Sequence, residues 1–441
     1  MRKLYAKGLL SSTVLLLLSC STTKHAAVVP EKFNHEVNLK KWGTTLKKIQ
    51  GLDSLLLSFV NQKRLSSVVG FVAKDGNVVY KKAFGWKDIE NHVPASVDDY
   101  YVLFSQTKAV TTVAFMTLVE KGLVSVDDPV SKYFPSISNQ VVTKVNGDGT
   151  YETRPVKSPM TFAHLMSHSS GLNAGLVGEI RKAEAKKNGR SATPGMPEKT
   201  PNGQHSFDGN YDIKYLADGM LDLAKYPLGF DPGTEYNYHI STNMLAYMIE
   251  RISGKTLREY VKETVLEPLG MNNTDWYYKP EALSKFVKAY SLVDGKLEPA
   301  SNMFSEATVS NEQTYCEGAL GLNGPIEDYA KFCQMLLNKG VFNGHRILKK
   351  ETVELMTTIN RLPEKNAGGK GFQFGLGFEL HNEQRKPVPE VSNTAYAWGG
   401  MYGTQYIIDP TNNIIALYYI NMPRNEWLYP TFLSKAYKLF K

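Results

Sequence analysis

Apolar side chains near the start of the chain follow first a helical period and then the alternation typical of strands. Residues 46–62 place apolar side chains at helical spacing. Val68–Ala73 and Asn77–Tyr80 then read as two strands joined by the turn Lys74-Asp75-Gly76. A second helical pattern, Ala109–Gly122, ends in a lysine and a glycine, as helix C-termini often do. The pattern predicts a helix, a hairpin and a second helix.

The middle of the chain predicts helices and loops. Between residues 125 and 310, helical patterns cover Ile213–Leu223, Thr242–Ile252 and Thr256–Val265. Residues 173–212 show no sustained period and are rich in Lys, Gly, Pro and Asn. We interpret them as a long loop that forms a lid or rim over a site.

The C-terminal part returns to strand patterns and closes with a helix. The strand patterns cover Phe374–Leu380, Thr404–Ile408 and Ile414–Ile420, and the helical pattern lies near Tyr429–Phe440. Strands at both ends with helices between them predict an α/β chain of the α+β type, in which both ends contribute to one sheet.

This order defines one domain over residues 46–441. Its sheet part is expected at about residues 46–115 and 315–441, and its inserted helical part at about residues 116–314. A cleft between the two parts is the expected site.

The N-terminus carries an export pattern. Three basic residues precede the apolar stretch Gly8–Leu18, which is too short to cross a bilayer and is typical of a signal peptide. The stretch ends in Leu-Leu-Ser-Cys at residues 17–20, which resembles the lipobox of bacterial lipoproteins. We expect a signal peptide over residues 1–19, a lipid anchor to the membrane on Cys20, and a tether over residues 20–45. The alternative is an ordinary secretory signal cleaved nearby. Both signals predict an exported protein, and the lipobox predicts a lipoprotein of the bacterial cell envelope.

Composition and charge narrow the classes of function. The 441 residues are 42% hydrophobic and 21% charged, which is ordinary for a globular chain. The formal charge of +8 is spread without a long basic run, so nucleic-acid binding is not indicated. Cys316 and Cys333 could form a disulfide in an exported protein, but the sequence does not fix their separation. We expect both to be reduced and partly buried.

Ser105 and Lys108 are the first candidates for chemistry. A serine hydroxyl needs a base within hydrogen-bond reach, and residues three apart lie on one face of a helix. Lys108 can therefore place its amine beside Ser105 at the start of the second predicted helix. Because the flanking segments are apolar, we expect Lys108 to be buried, which lowers the pKa of an amine and lets it act as a base.

Several segments together resemble the class C β-lactamase-related serine hydrolases, a family with the fold of penicillin-binding proteins. They are Ser105-Gln106-Thr107-Lys108, Asp127-Asp128-Pro129-Val130, Ser167-His168-Ser169-Ser170-Gly171-Leu172 and Leu266-Glu267-Pro268-Leu269-Gly270-Met271. The resemblance implies an antiparallel sheet flanked by helices, with Ser105 as the nucleophile. We interpret His168 as a residue that fixes a loop by hydrogen bonds to backbone. His164 and His168 lack a third ligand, so neither a metal nor another cofactor is expected.

The second motif of this family is a tyrosine that follows Pro-Gly-Thr. Here the segment is Pro232-Gly233-Thr234-Glu235-Tyr236-Asn237-Tyr238, and the family's offset implies that Tyr238 is catalytic, as a phenolate or a proton relay beside Lys108. Tyr236 is then expected in the core. β-Lactamases usually carry Asn two residues after this tyrosine, but this chain has Ile240 there, and His239 replaces a small residue. The departure favours an esterase-like branch.

The third motif of the family, usually Lys-Thr-Gly or His-x-Gly, corresponds to Trp398-Gly399-Gly400, which resembles the carboxylesterase branch. The branch implies that these three residues bind substrate, with Trp398 as an apolar wall and the glycines allowing close approach. The backbone N–H groups of Ser105 and Met401 would form an oxyanion hole. The cation that would hold a substrate carboxylate is missing from this motif, so neutral esters are the better expectation.

The three motifs predict a serine hydrolase that acts through an acyl-enzyme on a small-molecule ester, amide or β-lactam, with a carboxylesterase-type activity favoured. One alternative is a β-lactamase or D-amino-acid peptidase. Another, from a different class, is a penicillin-recognising binding or sensor module without turnover. A Ser-His-Asp hydrolase with a nucleophile elbow is not indicated, because the chain lacks Gly-x-Ser-x-Gly.

Overall fold

The computed structural model of the chain describes residues 32–35, 39–188, 215–300, 315–363, 366–423 and 427–440. The predicted signal peptide, Cys20 and the first part of the predicted tether lie outside these residues. The second half of the loop predicted at residues 173–212 also lies outside them. Within the described residues, no helix combines the length and the apolar character that crossing a bilayer requires.

The helices and strands of the described chain follow the predicted order of strands, helical part and strands. The helices are α1 (Leu46–Asn61), α2 (Thr107–Glu120), α3 (Val130–Tyr133), α4 (Phe162–Met166), α5 (Ala174–Lys187), α6 (Leu216–Leu223), α7 (Ser241–Ser253), α8 (Leu257–Val261), α9 (Ile326–Leu337), α10 (Lys350–Thr357) and α11 (Leu428–Lys438). The strands are β1 (Ser67–Lys74), β2 (Asn77–Asp88), β3 (Val93–Pro94), β4 (Tyr101–Val102), β5 (Gln140–Val145), β6 (Tyr151–Pro155), β7 (Tyr290–Val293), β8 (Lys296–Pro299), β9 (Asn323–Gly324), β10 (Val341–Phe342), β11 (His345–Arg346), β12 (Gln373–Phe374), β13 (Glu379–Leu380), β14 (Tyr396–Gly399), β15 (Thr404–Asp409) and β16 (Ile414–Tyr419).

The two ends of the chain meet in one sheet. Among the described residues this sheet has eight strands in the order β12-β13-β14-β15-β16-β1-β2-β3, and each neighbouring pair is antiparallel. β1 lies beside β16, with Val69 opposite Tyr419 and Ala73 opposite Ile415. This pairing confirms the predicted antiparallel sheet built from both ends of the chain.

Helices cover both faces of the sheet. Alternate residues of a strand point to opposite sides, and in β1 the side chains on both sides are apolar. Val68 and Val72 of β1 belong to an apolar cluster with α1 and α11. Val69 and Phe71 belong to the larger apolar cluster on the other face, which includes α2, α7 and α9. Since α2 follows Ser105 directly, the candidate nucleophile lies on the side of the sheet that faces the helical part.

Three local predictions were wrong. The helical part contains two antiparallel hairpins, β5–β6 and β7–β8, where helices and loops were expected. Helix α5 occupies the first half of the predicted loop at residues 173–212; Asn173 caps it by accepting a hydrogen bond from the Leu176 N–H, and only two of its residues are buried. The strand predicted at Phe374–Leu380 is two short strands joined by a turn.

Both cysteines of the described chain are free and buried. Burial raises the pKa of the Cys316 thiol and of the Cys333 thiol. Both were expected to be partly buried, and the structure buries them more deeply than that.

Candidate active site

Ser105 lies in a tight turn between β4 and α2. The turn is the short 3-10 helix Phe104–Gln106, and Phe104 enters it with φ of +47°, a conformation rare for a residue with a side chain. The ring of Phe104 stacks on Tyr402 at a centroid distance of 5.1 Å. The backbone oxygen of Gln106 accepts a hydrogen bond from the Tyr329 hydroxyl at 2.9 Å. The surrounding packing therefore holds the serine in a conformation that the isolated chain would rarely adopt.

Lys108 is buried beside Ser105 in the first turn of α2. Its Nζ lies 3.0 Å from the Ser105 Oγ, 2.9 Å from the Ala319 carbonyl oxygen and 3.1 Å from the His239 Nδ1. The side chain is removed from solvent. Burial lowers the pKa of Lys108 to about 7, although the negative charge of Glu317 opposes this shift. An amine with this pKa can accept the serine proton near neutral pH.

Tyr238 lines the same cleft as Ser105. The indole N–H of Trp398 donates a hydrogen bond to the Tyr238 oxygen at 2.8 Å, and the Lys108 Nζ lies 4.7 Å from the centre of the Tyr238 ring. Burial raises the pKa of Tyr238 above its usual range, and the polar side chains of Ser105 and Trp398 reduce this rise. The geometry therefore favours a neutral phenol that relays a proton over a resting phenolate.

The predicted Trp-Gly-Gly segment borders the same cleft. Gly400 lies so close to the turn that holds Ser105 that a Cβ atom added at Gly400 would be 2.4 Å from the Leu103 carbonyl oxygen. This approach brings Met401 to the cleft together with Ser105, Trp398 and Gly399. The cleft has a volume of about 470 Å³, and its remaining lining residues are Ala174, Gly175, Asn237, Tyr238, His239, Ile240, Leu320 and Gln405.

His168 and His164 pack within the protein and have no metal-ligand partners among the described residues. The His168 ring is buried and lies edge-on to Tyr238 at a centroid distance of 4.7 Å. Within the described chain its Nδ1 has no hydrogen-bond partner, while the backbone carbonyl of His168 accepts a hydrogen bond from the Asn237 N–H at 2.8 Å. His164 lies in the capping box of α4, where its Nδ1 accepts a hydrogen bond from the Thr161 N–H at 3.2 Å. No cluster of metal-ligating side chains occurs in the part of the chain that is described.

The structure adds three residues that the motifs did not identify as functional. His239 contacts Lys108, Glu317 lies behind His239, and Asn243 contacts Glu317. The one signal in the sequence was the histidine at a position where the resembling family has a small residue. Glu317 and Asn243 gave no signal, because they reach the site from a segment and a helix remote in sequence.

The chain matches a known family over most of its length. The family model described as Beta-lactamase matches residues 52–429. Protein Rv1367c of Mycobacterium tuberculosis is 27% identical over 369 residues, and the match covers 81% of this chain and 86% of that protein. Esterase EstB of Burkholderia gladioli is 26% identical over 381 residues, with coverage of 81% and 86%. The solved structure of EstCE1, a hydrolase with promiscuous acyltransferase activity, has a TM-score of 0.70 at 22% identity and covers 89% of this chain and 97% of its own. These findings confirm the predicted fold class.

Proposed function

This chain belongs to the β-lactamase family and is a serine hydrolase, and we propose that it is a carboxylesterase that cleaves neutral esters. The proposed catalytic residues are Ser105, Lys108 and Tyr238: the Lys108 Nζ lies 3.0 Å from the Ser105 Oγ and 4.7 Å from the centre of the Tyr238 ring, and Ser105 and Tyr238 both line the cleft. The name of its relative EstB, an esterase, supports the same assignment.

The first half of the proposed reaction acylates Ser105. The Ser105 Oγ attacks the ester carbonyl while its proton passes to the Nζ of Lys108, the group whose pKa lies near neutrality. The carbonyl oxygen becomes an oxyanion, which the backbone N–H groups of Ser105 and Met401 stabilise. The phenol of Tyr238 donates its proton to the departing alkoxide and recovers one from the Lys108 ammonium. The products are the free alcohol and an ester on Ser105.

The second half hydrolyses this ester by the reverse transfers. Neutral Lys108, acting through Tyr238, accepts a proton from a water molecule that attacks the acyl carbonyl. The new oxyanion collapses, the bond from the carbonyl to the Ser105 Oγ breaks, and the serine recovers its proton. The acid product leaves, and no cofactor enters this cycle.

The described residues that line the cleft include no free cation, and this observation carries the proposal for neutral substrates. None of the lining residues that the structure describes is Lys or Arg. The nearby amine of Lys108 lies within hydrogen-bond distance of three protein groups, and burial holds the pKa of His239 well below its usual range. A substrate carboxylate would therefore lose water without gaining a positive partner. Ile240, Leu320 and Trp398 suit an apolar acyl group instead.

A pair of substrates tests this proposal. p-Nitrophenyl hexanoate and the p-nitrophenyl monoester of adipic acid have acyl chains of equal length, and only the second ends in a carboxylate. We expect kcat/KM for the hexanoate to be at least about tenfold higher, since tenfold corresponds to only ~1.4 kcal/mol of uncompensated desolvation. Ser105→Ala should abolish both reactions.

A chromogenic cephalosporin, which carries a carboxylate, completes the comparison. We expect little turnover of this compound. Cephalosporin cleavage that exceeds ester cleavage, with both lost in Ser105→Ala, would overturn the esterase proposal in favour of a β-lactamase. Ester hydrolysis retained in Ser105→Ala would overturn the site itself.

We further propose that the enzyme is an exported lipoprotein anchored through Cys20. The support is the basic, apolar and Leu-Leu-Ser-Cys sequence at residues 1–20 and the polar segment that follows it. An enzyme held in this way would meet substrates in the bacterial cell envelope.

A further inference from the structure

Three polar groups surround the amine of Lys108, and each comes from a different part of the fold. They are the Ser105 Oγ beside α2, the Ala319 carbonyl before β9 and the His239 Nδ1 before α7. The distances, between 2.9 and 3.1 Å, are those of ordinary hydrogen bonds. A lysine ammonium has three N–H donors, so this set matches the protonated form completely.

The same set also orients the neutral amine. A neutral amine has two N–H groups and one lone pair. When Ala319 and His239 each accept one N–H, the lone pair points to the third neighbour, the Ser105 Oγ. This is the orientation in which Lys108 can remove the serine proton, and after the transfer the third N–H already has its acceptor. Proton transfer then requires no rotation of the amine.

We propose that His239, which faces the Glu317 carboxylate, is a positioning residue that takes one N–H of Lys108 and thereby directs the lone pair of the amine to Ser105. The proposal rests on the proposed function of Ser105 and Lys108 and assigns a further residue to it. His239 can accept at Nδ1 only as the tautomer with its proton on Nε2. That nitrogen faces the Glu317 carboxylate, with Nε2 and Oε1 3.7 Å apart, and the carboxylate favours this tautomer.

Asn243 of α7 ties the two supports of Lys108 together. Its Nδ2 donates to the Glu317 Oε1 at 3.0 Å, and its Oδ1 accepts from the Ala319 N–H at 3.0 Å. One amide thus fixes both the carboxylate behind His239 and the peptide whose carbonyl accepts from Lys108. Glu317 is only 2% exposed, so its buried charge would destabilise the folded protein if it had no polar partners.

His239 itself has a backbone conformation that suits a functional constraint. Its φ of +108° is outside the range that residues with side chains usually adopt. Strain of this kind persists only where the surroundings over-determine it, and it concentrates at functional sites. Asparagine tolerates positive φ better than most residues, and its side-chain oxygen can occupy the place of an imidazole Nδ1.

The charges around Lys108 set the direction of the pH effect. The titratable groups that face it from the neighbouring elements are Tyr238, His239, His168 and Glu317. Burial keeps both histidines and the tyrosine in their neutral forms. Glu317 is thus the acidic residue of this group, and its charge favours the ammonium form of Lys108. Removal of that charge should lower the pKa of the amine.

The rate at which a fluorophosphonate labels Ser105 in the full chain tests the proposal without a known substrate. We compare wild type with His239→Leu, which removes the acceptor, His239→Asn, which keeps one, and Glu317→Gln, which keeps the shape and removes the charge. Loss of one oriented hydrogen bond should slow labelling of the leucine variant by about tenfold or more at every pH. The asparagine variant should recover most of this loss. In Glu317→Gln, the pH at which labelling reaches half of its maximum should fall.

Thermal unfolding shows whether each variant is folded. If His239→Leu does not fold, His239→Asn and Glu317→Gln still test the proposal. Wild-type labelling rates in His239→Leu, or a half-maximal pH unchanged in Glu317→Gln, would overturn the positioning role alone. An asparagine variant that is folded but as slow as the leucine variant would also overturn it. Wild type that is not labelled, or that is labelled in Ser105→Ala as well, would instead overturn the proposed function.

Discussion

The indole N–H of Trp398 donates a hydrogen bond to the hydroxyl oxygen of Tyr238 at 2.8 Å. This contact links strand β14 to the segment before α7. Trp398, which stands where the third motif usually has a cation, therefore contacts Tyr238 of the second motif directly. Sequence reasoning gave Trp398 only the role of an apolar wall. A hydrogen bond donated to the phenol oxygen also favours the ionised form, so it opposes the rise in the pKa of Tyr238 that burial causes.

Trp398→Phe separates these two roles, because phenylalanine keeps an aromatic wall and removes the N–H. We expect kcat for ester hydrolysis to fall by roughly 5–150-fold, the effect of ~1–3 kcal/mol for a buried oxygen that loses its donor. KM should change little. Steady-state kinetics with p-nitrophenyl hexanoate measure both constants. An increase in KM with unchanged kcat would show that Trp398 serves only as a wall.

Tyr238→Phe removes the proposed proton relay and leaves the ring. Turnover should fall by roughly 100-fold or more, the usual contribution of a general acid or base. Tyr236→Phe is the matched control: Tyr236 is half-buried beside Phe372 and Phe374, and it is a ring neighbour of Tyr238 rather than a neighbour of Ser105. The activity of the Tyr236→Phe variant should stay within about threefold of wild type, since Tyr236 has no part in the proposed proton relay. The reverse pattern would transfer the catalytic role to Tyr236.

The pH dependence of kcat/KM should report the ionisation of Lys108. Burial lowers the pKa of this amine to about 7, and only the neutral amine can accept the serine proton. We therefore expect kcat/KM to be constant above this pH and to fall as the pH decreases below it, because the amine becomes protonated. Initial rates across a buffer series measure the profile. Full activity well below neutral pH would show that another group accepts the proton.

Gly400→Ala should destabilise the protein and distort the nucleophile turn. The new methyl group would lie 2.4 Å from the Leu103 carbonyl oxygen and 2.2 Å from the Thr404 Oγ1. Overpacking of this kind costs roughly 1–3 kcal/mol of unfolding free energy, which urea unfolding measures. Gly147→Ala is the control, since a methyl group there has no atom within 4 Å. Equal stability of the two variants would contradict the close approach.

Cys20→Ala tests the proposed lipid anchor. In cells, we expect wild type in the membrane fraction and the variant in the soluble fraction, because the acyl chains have no other point of attachment. The hydrolytic activity of the released protein should match that of wild type, since Cys20 precedes the catalytic domain in the sequence. Membrane retention of the variant would contradict the lipoprotein proposal.

Much of the fold could be predicted from local patterns. The first helix and hairpin, predicted at residues 46–62 and 68–80, correspond to α1, β1 and β2, and the last two strand patterns correspond to β15 and β16. These elements have strong periodicity because they are buried on defined faces. Helix α5 lacks this signal, since it buries only Val177 and Ile180, and its capping residue is visible only once the helix is known.

The candidate site divides in the same way. The spacing of Ser105 and Lys108 places both on one helix turn, so their contact could be predicted from sequence. The contact of Lys108 with His239 joins residues 131 positions apart, and that of Asn243 with Glu317 joins residues 74 positions apart. No local rule predicts such contacts, because they depend on how α2, α7 and the segment before β9 pack together.

The closeness of Gly400 to Leu103 has a consequence for how the enzyme gains its activity during folding. The turn that holds Ser105 is completed by a backbone segment almost 300 residues later in the chain, as the hydrogen bond from the Thr404 hydroxyl to the Leu103 oxygen, with a separation of 301 positions, also shows. Closing the loop between these two segments carries an entropy cost that grows with its length. We therefore expect a nascent chain that ends before Gly400 to lack hydrolytic activity, although it already contains Ser105, Lys108 and Tyr238.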